Sequence, residues 1–459
     1  MAAPPPLAPA DLGGRGTGLV TTRPVTAGET LLSETPFLLI PEAAAAPAVC
    51  GACLAYLTPS SGLCCTSCAR VAWCSPTCAA AAAGPPSWHT PAHCTALAQA
   101  ARQEAALPPE GATSLRFLLA VAALQVEARR AAGGAGSAPA AAATAWAAFD
   151  TLCAPPNLPS VLSSVPPLAS ALAASLGPAW PGGVPRPDTV ALWLVREAAN
   201  AFGVLGSGPA AAGGGGGGRP GQPATALPAA DPTARSLRGS ALYASASRLN
   251  HDCLPCAVRL DAFDDATVPP GPARTLLTVR ALHALPPGTE ATLSYFPLDW
   301  DLADRAARLA GEYGFVCGCG RCALERGDDG EEGGGGAGSG GNGPPPLHTR
   351  RSTVSMPDAA ARARPSDESM PSGSARVSGG SALPDAPAPP ADPAYVAAFL
   401  SKFCCGTCSG TLAPTTPGGG EGDHACNVCG VVRSHAAFLA DLEGGGGSEW
   451  SEDEEDMGE

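Results

Sequence analysis

Nineteen cysteines, most of them in short pairs, limit this chain of 459 residues more than any other feature. Within residues 50–94 the run reads Cys50-x2-Cys53, Cys65-x2-Cys68, Cys74-x3-Cys78 and His89-x4-Cys94. Further along stand Cys317-x-Cys319-x2-Cys322, then Cys405-x2-Cys408 and Cys426-x2-Cys429. The chain opens Met-Ala-Ala-Pro-Pro-Pro, with neither a basic start nor an apolar run, so no secretory signal is expected. Without an oxidising compartment the pairs read as thiolate metal ligands and not as disulfides. Residues 50–94 hold too few large apolar side chains to build a core. Structural zinc can take that place, at about 10–16 kcal/mol per ion. Eight ligands there make two tetrahedral sites, one of four cysteines and one of three cysteines with a histidine. Cys64 competes with Cys65, and His93 with His89. The trio Cys317, Cys319 and Cys322 needs a fourth ligand from elsewhere, and Cys253 is a candidate. The last double knuckle reads as a closed, structural zinc ribbon.

Composition shrinks the packed part of the chain. Glycine supplies 57 residues and proline 50, close to low-complexity sequence. Residues 206–235, with glycine throughout 213–218, are expected to be a surface loop, and residues 327–393 a disordered linker. Helical periodicity marks 95–130 and 187–205, the latter from Val190, Leu194, Ala198 and Phe202 behind Pro187. Strand character marks Leu19-Val20, Thr30 to Ile40, Thr275 to Val279 and Ala291 to Phe296. The uncharged stretch 151–185 carries eight prolines, so no membrane helix is expected in it. The formal charge is −14, with seven acidic residues in the last eleven positions and no basic stripe, so no direct nucleic-acid partner is expected.

Three short segments carry possible chemistry. Residues 242–253 end in Arg248-Leu249-Asn250-His251-Asp252-Cys253; residues 288–296 run from Gly288 through Glu290 to Tyr295-Phe296; residues 312–322 contain Tyr313-Gly314-Phe315 before the cysteine trio. Singly each has an ordinary structural reading: a turn, a strand residue, a packing anchor. Together, and behind Gly14-Arg15-Gly16-Thr17-Gly18-Leu19, they resemble a SET domain protein methyltransferase. The early cysteine run resembles a MYND finger, and the combination is similar to the SET and MYND domain (SMYD-like) lysine methyltransferases. The C-terminal knuckles with Gly410-Thr411-Leu412-Ala413-Pro414 resemble plant and algal members.

The resemblance implies an α+β SET fold of short sheets with an inserted finger and helical insert, plus a C-terminal zinc ribbon. It divides the chain into a SET N-terminal part (11–48), finger (49–95), helical insert (96–206), loop (207–235), SET core (236–316), post-SET segment (317–326), linker (327–393), ribbon module (394–441) and acidic tail (442–459). It implies that Cys50, Cys53, Cys74 and Cys78 hold one zinc and Cys65, Cys68, His89 and Cys94 a second, although the family's His-x3-Cys is here one residue longer. Cys253 would close a third zinc site with Cys317, Cys319 and Cys322, and Cys405, Cys408, Cys426 and Cys429 would hold a fourth. S-adenosylmethionine would lie against Arg15, Gly16 and Thr17, near Asn200, with Asn250 and His251 on its methionine and adenine portions. Tyr295 would be the active-site tyrosine, and Tyr313 and Phe315 would wall the cofactor and lysine channel.

The implied activity is lysine N-methylation of a protein substrate, a histone tail or another lysine-bearing protein. Proline-rich peptides are expected partners of the finger, and residence in the nucleus or cytoplasm is expected. Two departures stand out: Thr17 replaces a basic residue, and Asp252 replaces serine and is expected to point to solvent. The alternative is a scaffold without turnover that recruits partners through its zinc modules.

Overall fold

The structure is a computed structural model. It describes residues 4–46, 48–57, 62–133, 139–156, 158–207, 235–263, 265, 267–327 and 391–444. Most of the expected loop, linker and acidic tail lies outside the described residues.

Strands β1 (Leu7–Asp11) and β2 (Thr17–Thr21) form an antiparallel hairpin, with Asp11 opposite Thr17. Its tight turn requires positive φ at Gly13 (60°) and Gly16 (71°), which glycine adopts without strain. Strands β3 (Thr30–Glu34) and β4 (Leu38–Pro41) follow. The finger is nearly all loop, with β5 (Leu63–Cys64), β6 (Ala72–Trp73) and helix α1 (Pro76–Ala81).

Seven helices come next: α2 (Pro91–Gln99), α3 (Ala101–Ala106), α4 (Pro109–Ala132), α5 (Pro139–Asp150), α6 (Pro159–Leu162), α7 (Val165–Leu176) and α8 (Pro187–Asn200). Proline opens most of them, where its missing N–H and fixed φ cost nothing. Ser75 and Thr90 cap α1 and α2 by accepting from the Cys78 and His93 amides. Helix α4 is apolar through most of its middle, Phe117 to Leu124, because it is the axis of the insert. Leu115 and the run from Phe117 to Leu124 are buried against α2, α5, α7, α8 and β4. It is the one described helix long and apolar enough to cross a membrane by length and composition, and 72% of its apolar window is buried.

The helix expected over 187–205 ends at Asn200. Ala201 is extended, and Phe202 begins β7 (Phe202–Ser207), opposite Ala241 of β8 (Arg235–Leu242). Phe202 meets the Tyr243 ring edge-on at 5.4 Å, so sheet pairing overrides the i+4 pattern.

The remaining core strands are β9 (Asn250–His251), β10 (Ala257–Asp261), β11 (Leu277–Ala281) and β12 (Thr292–Leu293). The sheets are β10-β11-β3, β4-β8-β7 and a two-residue parallel pair β12-β9. The strand expected over 275–279 starts later, because Pro272–Thr275 forms a 3₁₀ turn, and the one over 291–296 is reduced to β12. Leu19, Leu39, Tyr243, Phe263, Val279 and Leu293 are buried in one core beneath these sheets.

Helices α9 (Leu302–Arg308) and α10 (Gly320–Arg326) flank a single π-helical turn, Leu309–Tyr313. The C-terminal module holds α11 (Pro393–Phe403), β13 (Leu412–Pro414), β14 (His424–Cys426), β15 (Val432–Arg433) and α12 (His435–Gly444). It docks on the β10-β11-β3 sheet, where Phe399, Phe403 and Ala413 pack with Val258, Leu282 and Leu298. Gly28, at φ 76°, lies so close to the Thr416 carbonyl that a Cβ there would stand 2.1 Å from its oxygen. The Gly418 amide donates to the Ala27 carbonyl at 2.7 Å, and Arg280 to that of Pro414 at 2.9 Å. The architecture is the expected one: short sheets interrupted by a finger and a helical insert, with a ribbon appended.

Candidate functional site

Four groups of soft ligands converge, each with donor atoms within 4.8 Å of one another: Cys50, Cys53, Cys74 and Cys78; Cys65, Cys68, His89 and Cys94; Cys253, Cys317, Cys319 and Cys322; Cys405, Cys408, Cys426 and Cys429. A tetrahedral zinc with bonds of about 2.3 Å needs sulfurs about 3.8 Å apart. The sulfurs of Cys53 and Cys74 are 3.6 Å apart, Cys74 and Cys78 3.7 Å, Cys65 and Cys94 3.6 Å, Cys253 and Cys322 3.5 Å, and Cys405 and Cys429 3.7 Å. These donor sets fit zinc in size and chemistry.

The open choices in the finger resolve geometrically. His89 points Nε2 at Cys68 Sγ, 3.8 Å away, whereas His93 Nδ1 lies 3.1 Å from the Trp88 carbonyl. Burial holds His93 neutral, its pKa pushed down to about 3. Cys64 is exposed in β5 and is not among the donors of the cluster that takes Cys65.

The third group is bound to the rest of the candidate site. The Tyr295 amide donates to His251 Nδ1 at 3.2 Å, so the neutral ring carries its proton on Nε2, 3.3 Å from Cys253 Sγ. Burial pushes the His251 pKa down to about 4, keeping the ring neutral. The parallel pair β9-β12 sets Asn250 beside Thr292 and His251 beside Leu293, which brings the two motifs together. Arg305, fully buried, reaches Cys322 Sγ at 3.7 Å and pairs with Glu325.

Tyr295 and Tyr313 lie with ring centroids 4.7 Å apart, and Phe315 is 6.5 Å from Tyr313 and 6.4 Å from His251. The Tyr295 hydroxyl donates to the Leu249 carbonyl at 2.9 Å, and burial pushes its pKa well up, so it stays protonated. Tyr313 closes the π-helical turn, released by Gly314 at φ 74°; such turns recur at functional sites. Ser160 of α6 donates to the Gly311 carbonyl, tying the helical insert to this turn.

The glycine-rich turn reaches the same place. Arg15 donates to the His251 carbonyl at 3.0 Å and pairs with Glu290 at 2.9 Å, and Asn250 Nδ2 lies 3.4 Å from the Arg15 carbonyl. Gly16 and Thr17 line the exposed end of the hairpin. Asn200, expected near the cofactor, donates its side-chain amide to the Cys153 and Arg196 carbonyls, and its main-chain carbonyl accepts from Ser247. Asp252 corrects the expectation of a solvent-facing side chain, for its Oδ1 accepts from the Leu254 amide at 2.8 Å and burial raises its pKa to about 7.

Two acids escaped the sequence reading. Glu34 accepts from the amides of Ala244, Ser245 and Ala246, at 3.0–3.1 Å, and so anchors the turn leading to Asn250. Glu290 bridges Arg15 and Asn250. Nothing local marks Glu34; Glu290 lies inside the Gly288–Tyr295 motif.

No family model matches the chain. It is 28% identical over 446 residues, covering 92% of this chain and 94% of the relative, to "Histone-lysine N-methyltransferase ASHR2" of Arabidopsis thaliana. Shorter stretches match the SET and MYND domain-containing protein DDB_G0292454 of Dictyostelium discoideum, at 38% over 18% of this chain and 22% of that protein, and the N-lysine methyltransferase SMYD2 of Gallus gallus, at 32% over 20% and 18%. The crystal structure of the SET domain of LSMT bound to lysine and AdoHcy covers 70% of this chain and 55% of its own, with a TM-score of 0.35 and 13% identity. The chain is thus similar to SET and MYND domain methyltransferases, as its motifs indicated, and the first relative spans nearly all of it.

Proposed function

We propose that this protein is an S-adenosylmethionine-dependent protein-lysine N-methyltransferase. One observation carries the reading: the glycine-rich turn, Asn250-His251, Tyr295 and the Tyr313-Phe315 segment, distant in sequence, meet at one place beside a four-cysteine cluster. The near full-length likeness to a histone-lysine N-methyltransferase supports it.

The cofactor supplies an electrophilic methyl group on a sulfonium. The turn at Arg15, Gly16 and Thr17, with Asn250 and His251, would hold it. Transfer to an uncharged amine would exchange a carbon–sulfur bond for a carbon–nitrogen bond, the surplus proton passing to solvent. The residues here match that need. Partly buried rings at Tyr295 and Tyr313 would shield an entering lysine from water, which lowers its pKa, and would limit its approach to one line. A Tyr295 hydroxyl that stays protonated orients the amine without acting as a base. The wall at Phe315 is 37% exposed and the adjoining Val316 79%, an apolar rim where substrate backbone would enter.

Four structural zincs complete the proposal, two in the finger, one joining Cys253 to the post-SET trio and one in the ribbon, each with a full ligand set. The substrate would be a histone tail or another lysine-bearing protein, with proline-rich peptides docking on the finger and residence in nucleus or cytoplasm.

The test is transfer of labelled methyl from S-adenosylmethionine to core histones and to a cell lysate. Tyr295→Phe is expected to lower kcat on the order of 100-fold or more while cofactor binding and zinc content persist. Lys402, the only lysine, donates to the Gly420 carbonyl between the Phe403 and Phe438 rings, so self-labelling should be minor. Cofactor binding absent from a zinc-loaded chain would overturn the enzyme reading and favour a scaffold.

A further inference from the structure

Glu290 has no role in the reading above, yet it lies where the three cofactor segments meet. Its Oε2 is 2.9 Å from Arg15 and its Oε1 2.9 Å from Asn250 Nδ2. The backbone fixes it there: Glu290 bridges Val20 of β2, and the Ala291 amide donates to the Leu19 carbonyl at 2.8 Å. Gly18 leaves the space. A Cβ on Gly18 would stand 3.0 Å from Asn250 Nδ2 and 3.4 Å from Glu290 Oε1, and 2.3 Å from a Leu12 methyl.

The Arg15 side chain is 47% exposed and that of Glu290 18%. A pair so open to solvent adds little to stability. Its value is geometric: one carboxylate sets both the guanidinium that clasps the His251 carbonyl and the amide of Asn250. It also balances charge, since the Arg15 cation would otherwise face a cofactor whose sulfonium and ammonium outnumber its carboxylate.

We propose that Glu290 is a positioning residue of the cofactor site, holding Arg15 and Asn250 in register and cancelling the Arg15 charge beside a cationic cofactor. The proposal rests on the methyltransferase reading. Removing the carboxylate should weaken cofactor binding in particular, and more for S-adenosylmethionine than for S-adenosylhomocysteine, which has lost the sulfonium charge.

The experiment is calorimetric titration of both ligands into the full-length, zinc-loaded chain, with steady-state kinetics alongside. Glu290→Ala is expected to raise Kd and KM for S-adenosylmethionine about tenfold or more. The KM for protein substrate, zinc content and melting temperature should hold. Glu290→Gln, which keeps an oxygen for Asn250 but no charge, should lose affinity for S-adenosylmethionine while keeping most of it for S-adenosylhomocysteine; Glu290→Asp should recover part of the loss. Equal affinities in wild type and Glu290→Ala, or a loss of both ligands in step with melting temperature, would overturn the role of Glu290 alone. A wild-type chain that binds neither ligand would overturn the underlying reading as well.

Discussion

At the scale of single residues, burial sets protonation more than charge pairing does. His251 and Tyr295 are both held neutral by their surroundings, which suits a transfer needing orientation and little proton movement. Glu197 of α8 shows the same effect away from the site: burial, then the charge of Glu42, raises its pKa to about 8. The sign follows from linkage. Between about pH 4.3 and 8 the unfolded chain has released this proton and the native chain has kept it, so stability falls as pH rises and levels off above about 8. Glu197→Gln should remove that part of the slope, raising the melting temperature more at pH 8 than at pH 5; equal shifts at both would contradict it. The ligand cysteines were legible because chelate spacing is local chemistry. The choice of His89 over His93 rested on the family resemblance alone, because spacing does not say which imidazole turns to Cys68 and which to Trp88.

At the scale of elements, periodicity located the long helices and missed what tertiary contacts create. The uncharged stretch 151–185 holds α6 and α7 despite its prolines, because Pro159, Pro166 and Pro167 fall in first helical turns. The two-residue β9 has no period to read and was not expected as a strand, whereas β12 is what remains of the strand expected over 291–296. The docking of the ribbon left no local trace. It depends on the contact of the turn at Gly28 with Thr416, which a left-handed glycine without a side chain allows. Gly28→Ala should strain that turn and push the Thr416 carbonyl back. Hydrogen exchange over residues 412–419 should then quicken, while residues 115–124 of α4 stay protected. Unchanged exchange at 412–419 would show that the contact is dispensable.

At the scale of the whole molecule, the proposed zincs would couple metal to fold. The finger and the ribbon have small cores made largely of their own cysteines. Chelation should therefore unfold both well before the α4 core melts, seen as a two-step loss of structure with four zincs released per chain. Cys253→Ser should reduce the metal content by one and abolish binding of S-adenosylhomocysteine, whereas Cys408→Ser should reduce it by one and leave that binding in place. Equal effects of the two would mean the third cluster does not organise the site.

That cluster has a consequence for the life of the protein. Cys253 stands two residues after His251, and Cys317 two residues after Phe315, with 63 residues of chain between the two cysteines. In a newly made chain, a zinc at this cluster would clasp that gap and bring the two walls of the proposed site together. On the methyltransferase reading, maturation would then be a threshold event: each molecule would become competent when its third site fills, and the working fraction of the population would track zinc supply and thiol oxidation.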